Sequence, residues 1–498
     1  MSDKKERENH FVNHHEVKYQ TAEEIFFRGG EAVGKTIGEI DWTGRAGLSS
    51  DATHRKAGVG YVIEESWYGY KINNDAEPDF TEAGVELKAT PIVKSKKKDE
   101  FRAKERLVLN IINYMEEFNK SFEDSSFWKK NKKLMLMFYE YIKDVPQNDL
   151  MIKAAALYSY PEEDLLIIKE DWGKIVDKIK SGKAHEISEG DTLYLGACTK
   201  GANAASSLRK QPKCDIPAKQ RAFSLKQSYM TYVVQNYIFG KKVSPKIQVS
   251  LLPKRKVSRK SLPDALIKNE KIVKEVGVLY QYGGLENYIE QTVGHFKGWL
   301  RSELCEYIHL ETTAKNVNEL IVSRLLGLQG HLRDSEEFKK ADVVIKTISL
   351  RKNGKVKESM SFPYFDFCEL VQQRWEESQI YNLFESTRFF FVVFRNTEDG
   401  DTVLEKTFFW NMPLEDLSQV YKVWNRTVKI LKDGVVVQRG SRGSYNNLPK
   451  STENPVAHVR PHARNSKDVL PLPTGGTMSK QCFWLNSSYV QKIVDAHE

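Results

Sequence analysis

The second half of this chain repeats the first, block by block and in one order. A repeat on that scale dictates two similar domains rather than one large core. Glu65-Ser66-Trp67-Tyr68-Gly69 lines up with Ser323-Arg324-Leu325-Leu326-Gly327. Without a gap, Asp79-Phe80 then falls on Glu337-Phe338, and Val85–Thr90 on Val343–Ile348. Leu134–Phe138 matches Phe389–Val393, which sets Lys130 against Glu385. Tyr194–Asn203 follows the pattern of His458–Asn465. Lys219-Gln220 with Phe223, Leu225, Ser228 and Tyr229 matches Lys480-Gln481 with Phe483, Leu485, Ser488 and Tyr489. With 498 residues, each copy has enough chain to bury its own core. The expected layout is a frayed tail at 1–19, a first domain at 20–240, a basic linker at 241–262 and a second domain at 263–498.

Chemistry concentrates in Pro78–Thr90. Val85, Leu87 and Ala89 alternate with Glu86, Lys88 and Thr90, the period of a half-buried strand, so Glu86 and Lys88 share one face. Gly84 suits a turn or bulge that folds Asp79 back over that face. Two carboxylates so placed repel by ~4 kcal/mol at 4 Å in an effective dielectric of about 20. A hard divalent cation removes that cost and leaves positions for a phosphate oxygen and a water. Lys88 is suited to orient or help deprotonate that water and to offset charge on the phosphoryl group. Residues 59–69 read as an amphipathic helix with Val59, Ile63 and Trp67 on one stripe and Gly69 as its stop. Glu65 lies off that stripe, on the side expected to face Asp79 and Glu86.

The two copies differ where the chemistry is. Copy two keeps Lys346 but has Val344 for Glu86 and Ser323 for Glu65. One remaining carboxylate, Glu337, cannot hold a catalytic metal, so copy two is expected to be an inactive fold. It retains Arg460, His462, Arg464, Asn465 and Trp484, side chains that suit a second nucleic-acid surface.

Bulk properties agree with an intracellular protein that meets polyanions. Lys and Arg number 76 against 67 Asp and Glu, a net charge of +9, which is a mild bias toward anionic partners. The charged N-terminus has no apolar leader, and no run of 18 apolar residues predicts a membrane span. Five scattered cysteines without C-x-x-C spacing point to a reducing cytoplasm and away from structural zinc. Gly29–Thr36 matches the G-x-x-x-x-G-K-[ST] phosphate loop, but a helical stretch precedes it where a strand is required, so nucleotide binding is not expected.

Basic residues recur along the chain. Lys94–Arg106 is lysine-rich; Lys129, Lys130, Lys132 and Lys133 lead into the apolar strand Leu134–Tyr139 and suit a DNA backbone. A helix is expected near 162–182. Tyr194–Ala204 reads as a small-residue loop in which Lys200 and Asn203 reach phosphate or base edges. Lys219–Tyr229 reads as the opening of a closing helix.

Pro78–Pro91, with Glu65 fourteen residues before Asp79, resembles the MutH-like endonucleases, above all the two-domain type II restriction enzymes that cut at GATC. The resemblance spans nearly the whole chain. It implies an α/β fold of two tandem restriction-endonuclease-like domains, the second degenerate, and Mg2+-dependent double-strand cleavage of DNA. Carried over position by position, it makes Glu65, Asp79, Glu86 and Lys88 catalytic, with Glu65, Asp79 and Glu86 as metal ligands. Lys130 takes the place of a lysine near the scissile phosphate, and Lys200 that of a recognition lysine. The family's recognition arginine is Cys198 here and its recognition tyrosine is Ser224, whereas copy two has Arg460 and Trp484 at those positions. The implied DNA-binding set is thus Lys130, Lys200, Asn203, Ser224, Arg460, His462 and Trp484. Double-stranded DNA bearing GATC, two sites per functional complex and a cognate methyltransferase that does not touch this chain complete the implied partners; no membrane is involved. Two alternatives share the motifs: a mismatch-repair-type nicking endonuclease, against which the duplication argues, and a catalytically silent GATC reader, against which the complete acidic set argues.

Overall fold

A computed structural model describes residues 19–44, 58–70, 76–95, 100–201, 207–252, 270–311, 316–440, 443–465 and 467–497. It divides into two units, Met1–Ile187 with Thr192–Lys268 and Lys339–Ala341, and Ser188–Asp191 with Asn269–Phe338 and Asp342–Glu498.

The first unit begins with α1 (Ala22–Glu31), opened by a capping box between Thr21 and Glu24. Then come β1 (Glu86–Lys94), β2 (Phe101–Ala103), β3 (Leu107–Ile111), α2 (Ser126–Asn131), β4 (Leu134–Glu140) and β5 (Ile152–Tyr158). They are followed by α3 (Glu162–Lys180), β6 (Leu195–Thr199), β7 (Leu208–Gln211), β8 (Cys214–Lys219), β9 (Arg221–Leu225), α4 (Gln227–Val233) and β10 (Ile247–Leu251). The main sheet runs β10-β5-β4-β1-β2, and a small sheet runs β3-β9-β6. Only an interior strand can bury both faces, and β4, with Leu134 through Tyr139 all buried, is that strand. It pairs parallel to β1 and antiparallel to β5.

Gly29 and Gly30 sit inside α1, not in a loop. A Cβ at Gly29 would lie 2.1 Å from Met135 Cε and 2.6 Å from Tyr68 Oη. The glycine therefore serves close packing of α1 on β4, and the phosphate-loop match is incidental. Asp171, buried on α3, accepts hydrogen bonds from the amides of Leu193, Tyr194 and Leu195 at 2.6–2.9 Å. That fixes the entry into β6.

The second unit contains α5 (Leu285–Gly294), α6 (Val317–Leu325), β11 (Val344–Leu350), β12 (Met360–Phe365), α7 (Gln379–Ser386), β13 (Phe389–Asn396), β14 (Thr402–Trp410) and α8 (Leu414–Asp433). After these come β15 (Val437–Gly440), β16 (Gly443–Asn446), β17 (Ala457–Pro461), β18 (Val469–Pro471), β19 (Thr477–Ser479), β20 (Gln481–Leu485) and α9 (Ser487–Asp495). Its sheets are β11-β13-β14 and β12-β20-β17. The register repeats the first unit: Val344 faces Phe389 and Lys346 faces Phe391 across a parallel pair, as Glu86 faces Leu134 and Lys88 faces Leu136. Likewise Arg460 pairs with Cys482 as Cys198 pairs with Ala222.

Several segments differ from the sequence reading. The expected linker contains β10, because Ile247, Val249 and Leu251 complete the edge of the main sheet against β5. Residues 253–262 of that linker lie outside the described residues. The expected loop at 194–204 contains β6 at Leu195–Thr199, its residues 202–204 lying outside the described residues, and the expected helix at 219–229 is β9 followed by α4; in each case buried residues pair across the small sheet. The helix at 59–69 is π-helical over Val62–Trp67. Tyr19, assigned to the tail, stacks edge-on against Tyr68 and Phe80. Among the described residues no helix is long and apolar enough to cross a membrane.

Candidate active site

The site is built by a hairpin ahead of β1. Phe80 and Val85 exchange both backbone hydrogen bonds, and Gly84, at φ 64°, closes the turn. That conformation is cheap only for glycine. The reversal returns Asp79 to the first residues of β1. Its amide donates to Glu86 Oε2 at 3.1 Å, and its Oδ2 accepts from the Leu87 amide at 2.9 Å. Lys88 Nζ lies 2.5 Å from Glu86 Oε1, and Lys130 Nζ, from α2, is 3.8 Å from Glu86 Oε2. The structure therefore brings Asp79, Glu86, Lys88 and Lys130 into one cluster.

Burial dominates its electrostatics. Glu86 is 1% exposed; desolvation raises its carboxyl above the usual range, Lys88 opposes that, and Asp79 adds to it. Burial alone would lower the Lys88 ammonium, but the Glu86 and Asp79 carboxylates outweigh it and hold Lys88 above the ordinary lysine value.

Two neighbouring glutamates, Glu64 and the expected Glu65, lie on the turn beside this cluster. Glu64 is pushed up to about 7, first by burial and then by the charge of Asp79, with Lys88 opposing and Glu86 adding. Glu64 thus lies in the field of the cluster, and Glu64 and Glu65 are both half-buried. The π-helical turn over Val62–Trp67 widens the helical repeat, so an ideal 3.6-residue wheel does not describe how this segment presents its two glutamates. The segment is anchored at its end: Arg28 donates to Trp67 O and stacks 3.8 Å over its ring, and Trp67 Nε1 returns a bond to Arg28 O.

The oxygen donors of Asp79 and Glu86, repelling one another in a buried setting, fit a hard divalent cation by their chemistry. Among the described residues, no three His, Cys, Asp or Glu side chains are gathered closely enough to form a ready-made metal cage.

The other predicted residues separate. Lys129 pairs instead with Asp124, at 3.5 Å. Lys200 is half-buried just past β6, its amide bonded to Gln220 O. Asn203 lies outside the described residues. Ser224 is 1% exposed in the middle strand of the small sheet, and its hydroxyl has no hydrogen-bond partner. In this conformation it cannot reach a ligand at the surface.

In the second unit, Arg460, His462 and Trp484 do converge. The Arg460 guanidinium is 5.2 Å from the Trp484 ring, the His462 ring 6.0 Å from it, and Trp484 Nε1 donates to Arg460 O. His458 stacks at 6.3 Å on the same ring, held by Asn486 at 2.6 Å. The counterparts of Asp79 and Lys88 have structural partners instead. Glu337 accepts from the amides of Ile272 and Val273, and Lys346 donates to Ser361 O at 2.8 Å.

Comparison with known proteins agrees with this geometry. The family model described as DNA mismatch repair enzyme MutH matches residues 68–171 and again 326–422, the same offset that sets Asp79 on Glu337. The type II restriction enzyme Sau3AI of Staphylococcus aureus is 38% identical, over 96% of this chain and 99% of its own length. The DNA mismatch repair protein MutH of Pasteurella multocida is 24% identical, over 44% of this chain and 98% of its own. That of Escherichia coli (strain SMS-3-5 / SECEC) is 25% identical, over 44% of this chain and 93% of its own.

Proposed function

The chain belongs to the MutH-like family and is a type II site-specific deoxyribonuclease; from that premise we propose that it cuts both strands of DNA at GATC in a Mg2+-dependent reaction. The second unit binds another GATC copy as an effector, so two sites meet in one functional complex. The setting is the cytoplasm, and a cognate methyltransferase protects host sites without contacting this chain.

One observation carries the reading: the hairpin that sets Asp79 and Glu86 against Lys88. Asp79 and Glu86, with a glutamate from the Val62–Trp67 turn, would hold the cation, which supplies Lewis acidity at the scissile phosphate. Lys88, protonated beside Glu86, positions the attacking water by its N–H groups and offsets charge gathering on the phosphoryl oxygens. Lys130 adds a second positive charge on the same side. The exposed Arg460 and His462, flanking Trp484, support DNA contact by the second unit through charge and stacking.

The test compares two plasmids in Mg2+, one with a single GATC and one with several. Faster cutting of the multi-site plasmid, with the advantage lost in Arg460→Ala, is expected. Equal rates would remove the effector role and leave the nuclease. Nicking without linearisation would favour a repair-type enzyme.

A further inference from the structure

We propose that the ribbon of β7 and β8 is a DNA-contacting arm of the first unit, placing Lys210, Lys213 and Lys219 on backbone phosphates. This rests on the DNA-cleaving function proposed above. The ribbon leaves the small sheet between β6 and β9, immediately after Lys200. Its root is tied by Lys200 N to Gln220 O at 2.8 Å and Gln220 N to Ser207 O at 2.6 Å.

The ribbon is anchored. Gln211 is 5% exposed; its Oε1 accepts from the Ala184 amide, and its Nε2 bonds Ile216 O and His185 Nδ1. Tyr114 donates its hydroxyl to Lys219 O. What points outward from this base is positive. Residues 208–219 carry Arg209, Lys210, Lys213 and Lys219 against Asp215 alone, and all four cations are exposed. The turn places Lys213 at φ 58°, a left-handed conformation in which a lysine costs roughly 1–2 kcal/mol that glycine would not. A charged residue kept at a strained tip calls for a use. Leu208 and Ile216, 42% and 55% exposed, add apolar surface beside the charges.

The repeat supplies an internal control. The second unit has a ribbon at the same place, β18 with β19, and residues 469–480 hold one charged side chain, Lys480, which the repeat sets on Lys219. The fold therefore needs the ribbon but not Lys210 and Lys213. A two-stranded ribbon fits the major groove of DNA, about 12 Å wide, with side chains reaching phosphates on either rim.

The test is the salt dependence of binding by full-length protein carrying Glu86→Ala, which prevents cutting, on a GATC duplex. Each phosphate contact contributes about 0.9 to the slope of log K against log salt. Lys210→Gln/Lys213→Gln/Lys219→Gln should lower that slope by about 2.7, so wild-type affinity falls roughly 40-fold more than the variant's between 50 and 200 mM salt. A control triple, Lys143→Gln/Lys180→Gln/Lys246→Gln, removes equal charge from exposed sites elsewhere. An unchanged slope in the ribbon variant, or an equal fall in the control, overturns the proposal. Cutting by the chain with Glu86 intact is scored separately. A slope change without cutting upholds the ribbon and rejects the nuclease reading; cutting without a slope change does the reverse.

Discussion

Glu86 and Lys88 form the contact on which both stability and cleavage should depend, and a double-mutant cycle with Glu86→Gln and Lys88→Met measures it. At 2.5 Å and an effective dielectric of about 20, the bare attraction is roughly 6–7 kcal/mol. Desolvation of the two groups takes back several kcal/mol. Asp79 also stays beside Lys88 when Glu86 is neutralised, so the surviving coupling is expected at about 2–3 kcal/mol. Glu86→Gln alone is costlier than a surface substitution: the amide NH2 must turn toward Lys88 Nζ or the Asp79 amide, both donors. Burying such a mismatch costs about 1–3 kcal/mol. Urea unfolding of wild type, both singles and the double gives the coupling, and Mg2+-dependent plasmid cleavage gives the functional loss. Both singles should abolish cutting, and the double should be less destabilised than the sum of the singles. A coupling near zero would refute the pair as an energetic unit, and a Glu86→Gln protein that still cuts would refute its catalytic assignment.

Other expectations follow from single contacts. Gly29→Ala should destabilise the first unit by about 1–3 kcal/mol, because overpacking at Met135 and Tyr68 exceeds the roughly 1 kcal/mol that alanine adds to a helix; Lys35→Ala, in the same phosphate-loop match, should leave cleavage unchanged. Thermal unfolding and plasmid cleavage check both. Glu64→Gln should reduce cleavage at least about 10- to 100-fold and more than Glu65→Gln does, and the reverse order in a single-turnover assay would return the third acid to Glu65. His458 is buried, which lowers its pKa in the folded state, with Asn486 opposing and Arg460 reinforcing. A depressed histidine contributes stability that is present above its unfolded pKa of about 6.5 and is lost as pH falls from there through its lower folded-state pKa. Urea titrations followed by Trp fluorescence should show a steeper loss below pH 6.5 in wild type than in His458→Gln.

Much of this protein is legible along the chain because it depends on periodicity and order. The alternation from Val85 to Thr90 specifies a strand with Glu86 and Lys88 on one face, and Gly84 marks the reversal that brings Asp79 to them. The continuous apolar run at Leu134 demands an interior strand. The ordered repeat specifies two units, and the loss of Glu86 and Glu65 at Val344 and Ser323 separates an acidic site from its degenerate copy. Three-dimensional packing decided what local pattern leaves open. A π-helical turn, held by Arg28 against Trp67, brings Glu64 into the field of Asp79 and Glu86, a placement the alternation of a regular helix does not reveal. Ile247–Leu251 is a sheet edge because β5 offers an unpaired side, a fact recorded nearly a hundred residues away. Ser224 is buried and Lys213 exposed because the chain leaves the small sheet as a ribbon between β6 and β9. Short segments carry propensity, but which face is covered is set by partners distant in sequence, and their position is a property of the folded chain alone.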